Sequence, residues 1–167
     1  AIFMESHQPT FEEYITLLLA FAPHLHPGFY DEIITEYLPK GAELPEFGGR
    51  RGSNHRGILP TGETAQFVIA GDDLEKRIQV QQLFNSEHWF YRKDILHLGN
   101  VPDGEPFMSG RLVLDEEILE LLTTGQVTRP RLSAQFPAEY INTELEWDDL
   151  VLPEQTWQQI KEIENWL

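Results

Sequence analysis

Proline and glycine punctuate this chain so closely that every helix it can form is short. The longest apolar run, Leu17 to Ala22, ends at Pro23, and Pro27 follows. Proline lacks an amide donor and restricts the residue before it, so both positions are predicted to limit the first helix. That helix opens on a capping-box sequence, Thr10-Phe11-Glu12-Glu13, in which Thr10 accepts from a first-turn amide and Glu13 reaches back. Phe11, Tyr14, Ile15, Leu18, Ala22 and Leu25 then recur at helical spacing and predict one apolar, core-facing stripe. A second helix is expected from Pro27 to Leu38, burying Phe29, Ile33, Ile34, Tyr37 and Leu38, with Pro39 and Gly41 as its stop.

Residues 41–57 read as loop, centred on Gly48-Gly49-Arg50-Arg51-Gly52-Ser53-Asn54-His55-Arg56-Gly57. Thr61 is placed to cap a helix containing Ala65, Phe67, Val68 and Ile69 that ends at Gly71. Asp72 or Asp73 caps the next, which carries Leu74, Ile78, Val80 and Phe84. Beyond Asn85 the pattern changes: Ile95–Leu98 and Arg111–Leu114 read as short strands joined by a protruding connection with a Pro102-Asp103-Gly104 turn. Asp115-Glu116-Glu117 then opens a helix with Ile118, Leu121 and Leu122 on its inner face and Gly125 at its end. The order predicts an α+β, mainly helical fold: a winged-helix-like helical domain with a short β-ribbon.

Charge constrains the partners. The net charge is −16. Residues 1–47 hold eight acids and one base, and residues 139–167 again eight and one. The middle, 48–138, holds twelve acids and ten bases, so the two ends supply −14 of the total. Duplex binding draws on neutralised phosphates, so nucleic acid is an unfavoured partner unless the central bases cluster. The absence of Cys excludes disulfides and thiolate chemistry and fits a reducing compartment. No apolar run approaches the roughly 20 residues that span a bilayer. Ala1-Ile2-Phe3-Met4-Glu5 has no signal-peptide pattern, so a cytoplasmic protein with no membrane partner is expected.

The C-terminal block carries a family likeness. Phe136-Pro137-Ala138, Thr143, Glu146-Trp147-Asp148-Asp149-Leu150-Val151-Leu152, and then Trp157, Ile160, Ile163, Trp166 and Leu167 resemble the entrance to the ATPase core of bacterial AAA+ proteins. The likeness is to single-core members that carry an extra N-terminal domain. Leu59-Pro60-Thr61-Gly62-Glu63-Thr64-Ala65 and Ala70-Gly71-Asp72-Asp73-Leu74 are similar to that group's N-terminal region. One departure is Leu152, where many members have Gly. The resemblance implies an N-terminal domain over 1–125, a linker over 126–143, and the entrance segment and first helix of the core over 144–167. It further implies that Asp149, Leu150 and Val151 form one adenine-side wall of a nucleotide pocket whose other walls lie outside these residues.

No G-x-x-x-x-G-K-[ST] phosphate loop occurs. The expectation is therefore a chain with no catalytic residues, metal or cofactor of its own, joined to a parent that binds ATP and Mg²⁺ as a homo-oligomeric ring. Its partners would be a protein substrate or adaptor and the ATPase core. Arg50, Arg51 and Arg56 are candidate partner contacts through guanidinium forks, the alternative being an ordinary surface loop. A second reading is a winged-helix nucleic-acid binder using Lys76, Arg77, Arg92, Lys93 and Arg111. His24 and His26 are flanked by prolines and read as a helix-end pair rather than metal ligands, and Asp72-Asp73 as a cap. The group His88-Trp89-Phe90-Tyr91 reads as core or strand.

Overall fold

A computed structural model describes residues 7–37, 44–126 and 153–164. The chain divides into two units, Ala1–Pro130 and Arg131–Leu167. The first is a mainly helical α+β domain. Its helices are α1 (Phe11–Leu25), α2 (Phe29–Tyr37), α3 (Gly62–Ala70), α4 (Leu74–Gln81), α5 (Trp89–Arg92) and α6 (Glu116–Thr124). Its strands are β1 (Arg50–Arg51), β2 (Ile58–Leu59), β3 (Leu96–Leu98) and β4 (Leu112–Leu114). In the second unit the described residues form α7 (Glu154–Glu164), started by Pro153, whose carbonyl accepts from the Thr156 and Trp157 amides. Asp149, Leu150 and Val151, and most of the linker, lie outside the described residues.

The helix ends follow from side-chain chemistry. Thr10 and Glu13 close a reciprocal capping box on α1. Thr61 does the same for α3, with Thr64 standing where Glu or Gln is usual. Asp73 and Asp115 cap α4 and α6, and Gly125 stops α6 in the left-handed conformation at φ +77°. The expected ribbon forms as an antiparallel pair, with Leu96 opposite Leu114, His97 opposite Val113 and Leu98 opposite Leu112. The stretch expected to be loop contains a second antiparallel pair, Arg50 opposite Leu59 and Arg51 opposite Ile58. The two ribbons meet where Thr61 bridges Arg111 and the Leu112 amide donates to the Pro60 carbonyl at 2.9 Å.

The core gathers Leu17 and Ala20 of α1, Ala65 and Ile69 of α3, Val80, Phe84, Phe90, Ile95, Met108, and Leu96, Leu112 and Leu114 of the ribbon. Here α1 departs from expectation. Its buried residues are Glu13, Thr16, Leu17, Ala20 and Pro23. Phe11, Tyr14, Leu18 and Leu25, expected inside, are 69%, 39%, 43% and 65% exposed. At 100° per residue the two sets lie roughly 150° apart around the helix. The inner face is small and polar enough to approach the ribbon closely, and its polar groups are satisfied: the Thr16 hydroxyl donates to the Glu12 carbonyl at 2.8 Å.

Pro23 also sits inside α1 instead of ending it. A proline there leaves the Leu19 carbonyl without its i+4 amide. The Tyr30 hydroxyl of α2 takes that place, donating to the Leu19 oxygen at 2.6 Å. Burial pushes the Tyr30 phenol well above its ordinary range, so it stays protonated as a donor. In α2 only Tyr30 is buried; Phe29, Ile33 and Tyr37, expected inside, are exposed, Ile34 is half-buried, and Leu38 lies outside the described residues. Leu74 and Ile78 of α4 are likewise outside, and Val80 and Phe84 alone of that predicted set are buried.

Candidate partner-binding site

The arginine loop is a hairpin folded against α2. Gly48 and Gly49 carry it past α3 with φ of +68° and +91°, a conformation and a closeness that exclude side chains. A Cβ on Gly48 would lie 2.6 Å from that of Glu63, and one on Gly49 2.6 Å from Cγ2 of Ile58. The Gly49 amide donates to Oγ1 of Thr61 at 3.1 Å, tying the hairpin to the cap of α3.

Successive side chains of a strand point to opposite faces, and this separates the predicted arginines. Arg50 turns to Glu105 of the long ribbon connection, with Nη1 to Oε2 at 3.2 Å. Arg51 turns to α2, with Nη2 to Oδ1 of Asp31 at 2.8 Å, and its Nη1 donates to the Arg56 carbonyl. The Arg56 residue is exposed. Asp31 is the hub, because its second oxygen accepts from the Ile58 amide at 2.8 Å. Arg50 and Arg51 therefore hold the hairpin to different partners, Glu105 and Asp31. Between α2 and β1 lies a cleft of about 510 Å³ lined by Asp31, Ile34, Gly49, Arg50, Arg51 and Glu63, a mixed-charge wall rather than a uniformly basic one.

A second polar cluster lies under α1. Oε1 of Glu13 accepts from the Trp89 indole at 2.7 Å and meets Nε2 of His88 at 3.0 Å, while Oε2 accepts from the Thr10 amide at 2.7 Å. Nδ1 of His88 accepts from the Phe90 amide, which leaves the proton on Nε2 to be donated to Glu13. Burial alone would raise the Glu13 carboxyl, but the bonds from Trp89, the Thr10 amide and His88 outweigh it, and it titrates below its ordinary value. Three donors from within the fold converge on this largely buried carboxylate, which acts as a staple between the start of α1 and residues 88–89.

The remaining candidates are dispersed. His26 pairs with Glu32 at 3.2 Å, while burial and the nearby His55 lower the pKa of His24. Nε2 of His55 is buried without a hydrogen-bond partner. Among the described residues no three of His, Asp and Glu converge as metal ligands. Nor, among them, is any helix long and apolar enough to cross a membrane. Of the basic stripe considered for nucleic acid, Arg77 is committed to the Gly71 carbonyl through Nε at 2.6 Å. His88-Trp89-Phe90-Tyr91 is a short helical turn with Phe90 fully buried.

What sequence reading missed is the apolar surface. Phe11, Tyr14, Leu18 and Leu25 of α1, with Phe29, Ile33 and Tyr37 of α2, are exposed by 37–76%. Their helical spacing was the available signal, but it was spent on the core. Large apolar groups scattered singly are ordinary on a surface; a run along one helix face is the mark of an interaction site. No protein-family model matches this chain, and neither a curated protein nor a solved structure does.

Proposed function

We propose that this chain is a noncatalytic N-terminal domain through which a bacterial AAA+ ATPase recruits a protein substrate or adaptor. The observation that carries the reading is the two-faced α1, which closes the core with Leu17 and Ala20 while Phe11, Leu18 and Leu25 remain open on its far side. The likeness of Glu146 to Leu152 to an ATPase entrance supplies the parent's class. In this reading ATP and Mg²⁺ are bound by the parent's core, and Asp149, Leu150 and Val151 contribute one wall to the adenine site. The ring-forming core supplies the homo-oligomer, and the work is done in the cytoplasm. This domain selects what the ring remodels.

The test has two stages. The gene downstream of Leu167 is expected to encode a Gly-rich Lys-Ser/Thr loop within roughly 60 residues. Deleting residues 7–126 from the parent should then leave basal ATP hydrolysis intact and abolish partner-stimulated turnover. A reading frame with no such loop overturns the parent's class, and partner stimulation that survives the deletion overturns recruitment.

A further inference from the structure

We infer that the outer face of α1 is a docking seam for a basic amphipathic helix of a partner protein. This deepens the recruitment reading by naming the chemistry of what is recruited. Phe11, Leu18 and Leu25 are spaced seven residues apart, with Tyr14 between the first two, which is the a/d pattern of a helix that expects another helix alongside. All four are solvent-exposed in a domain whose core is complete without them. The stripe runs the length of a 15-residue helix, about 22 Å, enough for a partner of roughly four turns presenting anchors at i, i+3, i+4 and i+7.

Charge selects the occupant. Between His7 and Tyr37 there are five carboxylates, Glu12, Glu13, Asp31, Glu32 and Glu36, and no Lys or Arg. Glu13 is consumed inside the fold, Asp31 holds Arg51 and Glu32 pairs with His26, while the half-buried Glu12 and the exposed Glu36 keep the segment that carries the stripe acidic as a whole. A second copy of this chain would bring the same acidic segment and a further net charge of −16 to the contact. Like charges juxtaposed oppose association, and opposite ones steer it. A helix with an apolar seam between Lys and Arg residues satisfies both requirements at once.

The experiment uses the full 167-residue chain and two synthetic 18-residue helical peptides with identical leucine seams, one flanked by Lys and the other by Glu. Binding is read by fluorescence anisotropy at low and high salt. The Lys peptide is expected to saturate, to bind at least tenfold more tightly than the Glu peptide, and to weaken as salt rises. Phe11→Ser with Leu18→Ser should cost a further tenfold or more without moving the thermal midpoint, since both residues are exposed. Equal binding of the two peptides overturns the proposal with no variant needed. So does self-association in sedimentation that the double variant abolishes, because the seam is then a dimer contact. Resistance of Phe11→Cys and Leu18→Cys to thiol labelling in a monomer that ignores both peptides also overturns it, because the chain's own residues then cover the seam. If the peptides fail while deletion of 7–126 still abolishes partner stimulation in the parent, the seam is wrong and recruitment stands. If both fail, recruitment falls as well.

Discussion

Tyr30→Phe removes one oxygen atom from a fully buried ring, and the structure fixes what that atom does. It is the donor that replaces the amide missing at Pro23, and without it the Leu19 carbonyl has neither its intrahelical partner nor its substitute. Leaving a buried acceptor unsatisfied costs about 1–3 kcal/mol, and the ring itself still fills its place, so the loss is expected in that range. The decisive measurement is a double-mutant cycle with Pro23→Ala. Alanine restores an N–H four residues after Leu19, so in that background the hydroxyl becomes dispensable and Tyr30→Phe should cost well under about 1 kcal/mol. Urea unfolding followed by far-ultraviolet circular dichroism gives all four corners of the cycle. With a slope near 1–3 kcal/mol/M for a domain of this size, the single substitution should move the midpoint by roughly 1 M. A cost for Tyr30→Phe that is the same in both backgrounds refutes the substitution of hydroxyl for amide.

Three further outcomes follow from other contacts. Glu13→Gln keeps the shape but sets an NH₂ against one of the donors now held by the carboxylate, costing about 1.5–3 kcal/mol. Because the folded carboxyl titrates below the unfolded value of 4.5, its contribution is full above that pH and is lost as pH falls through the lower folded value. Wild-type stability should therefore drop below pH 4.5 more steeply than that of Glu13→Gln, as measured by urea midpoints across pH, and parallel profiles count against the staple. Gly57→Ala places a Cβ into the Pro27 carbonyl oxygen, so a cost of about 2–4 kcal/mol and a shifted hairpin are expected in calorimetry and amide spectra. Leu74→Ser and Ile78→Ser should stay within about 0.5 kcal/mol of wild type, whereas Val80→Ala loses about 2 kcal/mol, because only Val80 is buried.

Local chemistry was legible in the sequence; facing was not. The caps at Thr10, Thr61 and Asp73 and the stop at Gly125 are set by side chains within a few residues, and all of them form, while Asp115, read as one of three first-turn acids, is the cap of α6. The β3–β4 ribbon was equally plain, since alternation and a turn frame it. The choice of face on α1 depends instead on what packs against it. Thr16 and Glu13 look like solvent positions until Trp89 and His88 arrive from far along the chain to satisfy Glu13. The hairpin of β1 and β2 escaped because two-residue strands carry no periodicity. The separation of Arg50 from Arg51 depends on Asp31 and Glu105, which adjacency in sequence cannot reveal.

Glu13 joins a helix start to residues 75 and 76 positions downstream, and this sets an order in time. At translation rates of about 5–20 residues per second, roughly 4–15 s separate the synthesis of Glu13 from that of Trp89. Throughout that interval α1 can coil and close its own capping box, but its inward face has no ribbon to lie on. The domain is thus sealed from its far end: a nascent chain halted before residue 88 has the helices that meet α1 but neither the indole and imidazole that satisfy Glu13 nor the ribbon on which α1 lies.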